Sequence, residues 1–347
     1  MSLATSADAA PYHDRVTPLR SPLSGFAIVI AAASLFGTLG PVSRFAYDAG
    51  MEPLAFVGWR ALIGAITTGL FVAWRVRRGD ESRVRLSGLA SRERLLLGIA
   101  AVTGFTLNFA MFIAFDLVTI ALALLVFYTY PAMVAVVAVA LGRERLDRSK
   151  LAALGLALAG MVAVVAGQLD PAAGIEFNWL GVLLALSAAV SQAVFVLISR
   201  DGYPSVPADQ AMTVMLATTV AFAVPVAVLT GSFATLTFPL SEPSVLPLVL
   251  FAGVFGAAIP SIGFLTGLRL IGGLRAGILM LFEPVVGVLL AALLLDEDLQ
   301  PIQLVGGVAI LAAAVILQRS ARHEQELEPM ATPALGDPTH VHLSEAS

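Results

Sequence analysis

The chain has 347 residues, of which 58% are apolar and only 13% charged, with a formal net charge of −4 and no cysteine. Its mean hydropathy of +0.90 lies far outside the balance of soluble domains, which excludes a soluble enzyme and points to an integral membrane protein. All four histidines, His13, His323, His340 and His342, fall in the polar ends, so the usual zinc, haem and iron–sulfur ligand sets are missing from the apolar part.

A bilayer core about 30 Å thick needs roughly 20 apolar residues at about 1.5 Å each, and stretches of that length recur along the chain. They are continuous Leu/Ala/Val/Gly runs without the alternation of barrel strands, so an all-α membrane protein is expected. Ten spans are predicted, at 25–42, 54–74, 95–115, 119–141, 151–167, 179–199, 211–229, 246–268, 276–295 and 302–317. Residues 1–23 and 319–347 read as polar, disordered tails, 24–168 as a first unit and 178–318 as a second. Arg15 and Arg20 ahead of Ala31-Ala32-Ala33-Ser34 would also suit a cleaved signal peptide. The apolar run continues through Gly37 to Pro41, however, and removing it would leave nine spans.

The two units look like copies. Tyr130-Pro131 followed by Arg143-Glu144-Arg145-Leu146 matches Glu283-Pro284 followed by Asp296-Glu297-Asp298-Leu299, each proline thirteen residues before its glutamate. The copied loop reverses from basic to acidic, as an odd number of crossings per copy requires. With both termini placed in the cytoplasm, 18 of the 20 basic residues fall inside, and the outside loops hold Arg44 among nine acids. That separation fits ten helices in two inverted five-helix repeats with both termini cytoplasmic.

Enzymatic chemistry has no obvious place in such a bundle. There is no Gly-x-Ser-x-Gly elbow, no intramembrane Gly-x-Gly-Asp and no P-loop, so neither a cofactor nor ATP hydrolysis is expected. Transport of a solute, facilitated or ion-coupled, remains. Polar groups inside spans are costly in lipid and usually face a cavity or a partner. Arg60, two turns into the second span, and Glu283, near the middle of the ninth, are the strongest candidates. Arg60 could instead snorkel outward or pair with Glu52. Asn108, on one face with Phe105 and Phe112, and Gln192 suit either helix adhesion or ligand contact. Tyr128 and Tyr130 suit cavity walls. Pro131 and Pro284 each lack an amide donor, freeing the carbonyls of Phe127 and Met280 at membrane depth. Broken helices in corresponding positions of two halves point to a transporter's binding site and its gating elements. Gly263-x-x-x-Gly267 and the pair Gly253 and Gly256 mark close helix packing.

Taken together, Leu35-Phe36-Gly37, Arg60, Tyr130-Pro131 with Gly142-Arg143-Glu144, and Glu283-Pro284 with Glu297-Asp298-Leu299 resemble the EamA family of the drug/metabolite transporter superfamily, over residues 25–318. Glycines follow each half-ending motif, Gly155 and Gly160 in one copy, Gly306 and Gly307 in the other. Phe36 replaces a frequent tryptophan and Arg44 a frequent lysine. The resemblance implies export of a small metabolite such as an amino acid, by alternating access around a midplane cavity. It lines that cavity with the first, third, fourth, sixth, eighth and ninth spans, placing Asn108, Tyr128, Tyr130, Gln192 and Glu283 near it. Glu283 would carry a proton or pair with a cationic solute group. A proton-coupled antiporter of drugs or cationic compounds is the second reading. The expected partners are a small-molecule solute, the lipid bilayer and protons as candidate coupling ion, with no nucleic acid.

Overall fold

A computed structural model describes residues 22–80, 83–144, 146–168, 178–295 and 297–331. Among these residues there is no strand, and ten helices are long and apolar enough to cross a membrane. The spans are Leu23–Asp48, Pro53–Arg78, Ser91–Phe115, Ile120–Ala140, Arg148–Ala166, Trp179–Asp201, Ala208–Leu229, Pro243–Ile271, Gly273–Leu294 and Pro301–Arg322. They are numbered 1 to 10 below. Several run past the apolar stretch that announces them, because a helix continues into charged residues until a breaker stops it. Span 2 carries Arg75, Arg77 and Arg78 in its last turn and ends where Gly79 turns left-handed at φ 74°. The helix of span 10 continues to Ala331 through Gln, Arg, Glu and Ala residues that favour helix. The remaining parts of both tails lie outside the described residues.

The pairing of spans carries the repeat. Spans 2 and 7 pack together, as do spans 5 and 10; span 3 packs on span 6 as span 8 packs on span 1; span 4 packs on span 6 as span 9 packs on span 1. Exchanging every span with the one five positions on maps this set onto itself. Five spans per copy send the second copy across the membrane in the opposite sense, so the bundle is two inverted five-helix repeats, interleaved rather than side by side.

Leucines and valines such as Leu70, Leu183 and Val305 stand exposed on the outer faces, as a lipid-facing surface requires. Lipid tails are as apolar as these side chains, so helices associate through close packing of small residues. Spans 5 and 10 cross at Gly160 and Gly306, where a Cβ on Gly160 would lie 2.6 Å from the Gly306 carbonyl oxygen. Gly263 and Gly267 face span 1, the latter against Val29.

Four spans are interrupted. Span 4 divides into Ile120–Phe127 and Tyr130–Ala140, and span 9 into Gly273–Met280 and Phe282–Leu294, each one turn ahead of its proline. Those two follow from Pro131 and Pro284. Two more were not anticipated from sequence. Span 1 divides at Thr38, between Pro22–Gly37 and Leu39–Asp48, with Pro41 in the next turn. Span 8 opens into a π-turn at Val254–Ala258 ahead of Pro260. Pro260 has no N–H to give to the Gly256 carbonyl, and the wider turn is the local response.

Candidate functional site

The interruptions sit around one cluster of polar side chains. Arg60 points inward. Its Nη2 donates to Asn108 Oδ1 at 2.7 Å and its Nη1 to the Gly256 carbonyl at 3.5 Å, while Asn108 Nδ2 donates to the Gly104 carbonyl at 2.8 Å. The last bond fixes which way the Asn108 amide faces, so its oxygen is turned to Arg60. Glu52 is instead exposed at the start of span 2, two turns away, and Arg60 makes neither the snorkelling nor the Glu52 contact. Arg60 Nε is buried without a hydrogen-bond partner.

Glu283 opens the second half of span 9. Its backbone carbonyl lies against span 1 at Gly37, where an added Cβ would come within 2.7 Å of it. Its side chain is half-buried and close enough to Arg60, Tyr128 and Tyr130 to act on all three electrostatically. Among the described residues its carboxylate forms no ion pair with Arg60 and accepts no hydrogen bond. The Tyr130 hydroxyl reaches toward the Gly277 carbonyl at 3.5 Å, and Gln192 stands close to it.

Spans 2, 3, 4, 6 and 9 thus bring Arg60, Asn108, Tyr128, Tyr130, Gln192 and Glu283 to one place, with Pro131 and Pro284 buried beside it. Their exposure differs. Arg60, Asn108, Gln192 and Glu283 keep part of their surface, whereas Tyr128 and Tyr130 retain 3% and 1% and form a closed floor. Phe105 does not join Asn108 in facing the cluster: it stacks on Phe222 of span 7, ring centroids 4.8 Å apart. The side chain of Phe112 lies outside the described residues. Among the described residues no group of histidine, cysteine or acids is placed to hold a metal ion.

A family model for EamA-like transporters matches residues 23–166 and again residues 179–319, one match for each five-helix repeat. The chain belongs to the EamA-like transporter family. It is 26% identical over 295 residues to an uncharacterized transporter of Archaeoglobus fulgidus, covering 85% of this chain and 96% of the relative. A solved crystal structure superposes with a TM-score of 0.70 at 23% identity, over 88% of this chain and 98% of the other, which speaks for the fold alone. The family is one of membrane transporters, so this EamA protein moves a small-molecule solute across a bilayer.

Two parts of this cluster escaped the sequence reading. Tyr47 of span 1 is close enough to interact electrostatically with Arg60. The Gly256 carbonyl was available in principle, since Pro260 stands four residues after it, but the glycines of span 8 read as packing alone. They do pack: Gly253 meets Ile63 and Gly256 meets Leu39. Pro260→Ala restores the missing amide, which then competes with Arg60 for the Gly256 carbonyl. The expected result is a modest loss of solute affinity, since the contact at 3.5 Å is long and orients Arg60 rather than touching the solute. An unchanged dissociation constant, measured by thermal shift with an identified solute, would show that this carbonyl does not position Arg60.

Proposed function

We propose that this protein is an inner-membrane secondary transporter that exports a small metabolite such as an amino acid, by alternating access around the Arg60–Glu283 cluster. One observation carries the reading. A cation from the first repeat and an acid from the second meet half-buried in the bundle without pairing directly, in a ring of hydrogen-bonding side chains. Two opposite charges held apart complement a zwitterion, whose carboxylate would face Arg60 and whose ammonium would face Glu283. The paired helix breaks at Pro131 and Pro284 supply the two elements that rock or bend. The distribution of arginines supports cytoplasmic placement of both termini.

Glu283 also supports a second reading, a proton-coupled antiporter of drugs or cationic compounds, because among the described residues its carboxylate has no direct cationic partner within hydrogen-bonding distance. One experiment separates the two. Purified protein is screened against amino acids and lipophilic cations by thermal stabilisation, where a ligand at about 100 times its dissociation constant adds about 2.7 kcal/mol. Glu283→Gln is then assayed in proteoliposomes under an imposed pH gradient with the solute found. Narrow amino-acid hits support the metabolite reading and many lipophilic cations the antiporter. Gradient-driven flux equal to that of the unmodified protein would remove Glu283 from coupling.

A further inference from the structure

The ends of the bundle are built from copied parts in opposite states. Ser43-Arg44-x-x-Tyr47 at the end of span 1 matches Ser199-Arg200-x-x-Tyr203 at the end of span 6, and Glu144 after span 4 matches Glu297 after span 9. Span 4 packs on span 6 as span 9 packs on span 1, so each arginine has a copied glutamate at its own end of the bundle.

At the arginine-rich end the pair is made. Arg200 Nη1 lies 3.0 Å from Glu144 Oε1, and the two side chains are 34% and 13% exposed. Arg143 adds a bond from its Nη1 to the Leu197 carbonyl at 3.1 Å. The pair rests on the turn between spans 8 and 9, where Gly272 at φ 87° leaves 3.0 Å between Glu144 Oε1 and the position a Cβ would take. Beneath it Val134, Val196 and Gly273 leave a void of only about 10 Å³, room for about one water. A second bridge between the repeats, Arg75 to Asp209 at 3.0 Å, lies at this same end.

At the acidic end the matching pair is not made. Arg44 bonds along its own helix to Asp48 at 3.6 Å, both well exposed, and Glu297 is exposed. The residues four before each arginine report the difference. Val196 is completely buried, whereas its counterpart Gly40 is exposed, with nothing within 4 Å of the position its Cβ would take.

We propose that Glu144–Arg200 and Glu297–Arg44 are twin latches that close in alternation, so that this structure, sealed by the first, is open toward the end that the second would seal. The inference rests on the alternating-access reading above. When the first latch parts, the inverted copy takes the arrangement its partner has left: Arg44 leaves Asp48 for Glu297 and spans 1 and 9 close over the cluster.

The chain has no cysteine, so single cysteines report each end without background. Gly40→Cys and Val196→Cys are labelled separately with N-ethylmaleimide in purified full-length protein. Gly40→Cys is expected to react fast and Val196→Cys slowly. Adding Glu144→Gln should speed Val196→Cys at least fivefold and slow Gly40→Cys, and the exchange Glu144→Arg with Arg200→Glu should return both toward their starting rates. Unchanged rates in Glu144→Gln overturn the proposal. So does acceleration at both ends, which marks general loosening, or a double exchange that reacts like the single variant. These rates are read without any solute, so a failed latch leaves the transport reading standing, and a working latch survives the loss of a coupling role for Glu283.

Discussion

Arg60→Ala is expected to lower solute affinity by a factor of about 100 or more. The guanidinium answers to Asn108 Oδ1 and to the Gly256 carbonyl, and its charge acts on Glu283. Removing it leaves two acceptors unpaired and an acid without its counter-charge. A hydrogen bond from a charged group is worth about 1.5–3 kcal/mol, so the loss of the guanidinium's bonds to a solute carboxylate reaches the roughly 2.8 kcal/mol that corresponds to a hundredfold in affinity. Arg60→Lys keeps the charge and should recover only part of the loss, because one ammonium cannot present the planar fork that spans Asn108 and Gly256. Solute binding by thermal shift, followed by counterflow in proteoliposomes, measures both variants. Wild-type affinity in Arg60→Ala would remove the arginine from the site. The set Arg60→Met, Asn108→Leu and Glu283→Leu separates function from stability: replacing the whole polar cluster, acid included, by apolar residues of similar volume is often neutral or stabilising, so this variant should fold and fail to bind.

How much of this was legible depends on whether the signal lies along the chain or between its helices. The count and order of spans are written in local composition, and the inverted repeat in the matched prolines and glutamates at 131 and 144, 284 and 297. The breaks in spans 4 and 9 follow from a missing amide and needed no tertiary information. The break in span 8 had the same cause at Pro260, but its consequence, a carbonyl turned to an arginine 196 positions earlier, depends on spans 2 and 8 meeting. The rotation of span 3 is the clearest limit. Phe105 and Asn108 are three residues apart and share a helical face, yet Asn108 turns to Arg60 and Phe105 to Phe222. A face of a helix is wide enough to serve two neighbours, and only packing decides the division. The Glu144–Arg200 latch was hidden for another reason: surface loops full of arginine read as a topology signal, and nothing in that signal marks one of them as a partner.

Gly306→Val is expected to cost the most stability of any change at a helix crossing. A Cβ at 306 would stand 2.4 Å from the Gly160 carbonyl oxygen, 2.8 Å from the Val164 amide nitrogen and 2.9 Å from Val164 Cγ2. Two of these three neighbours are backbone, so no side chain can swing aside and the helices themselves must part. Overpacking in a close-packed interior typically costs about 1–3 kcal/mol, and a rigid neighbour on both sides argues for the upper end. Parting forfeits the close backbone packing that holds these helices together, and a bilayer supplies no hydrophobic driving force to re-seat them. Gly160→Val should behave alike, and the two together should cost less than their sum because they open the same crossing. Gly155→Val supplies the control: nothing lies within 4 Å of its Cβ position, and its effect should stay within about 0.5 kcal/mol. Thermal unfolding of the purified variants decides the matter, and equal midpoints for Gly306→Val and Gly155→Val would refute the close crossing. Because spans 5 and 10 are the last helices of the two repeats and meet each other across the bundle, a wedge here also changes how the repeats lean together. Residual folded Gly306→Val should therefore show altered labelling at Gly40→Cys or Val196→Cys, a loss of balance between the two ends that Gly155→Val does not share.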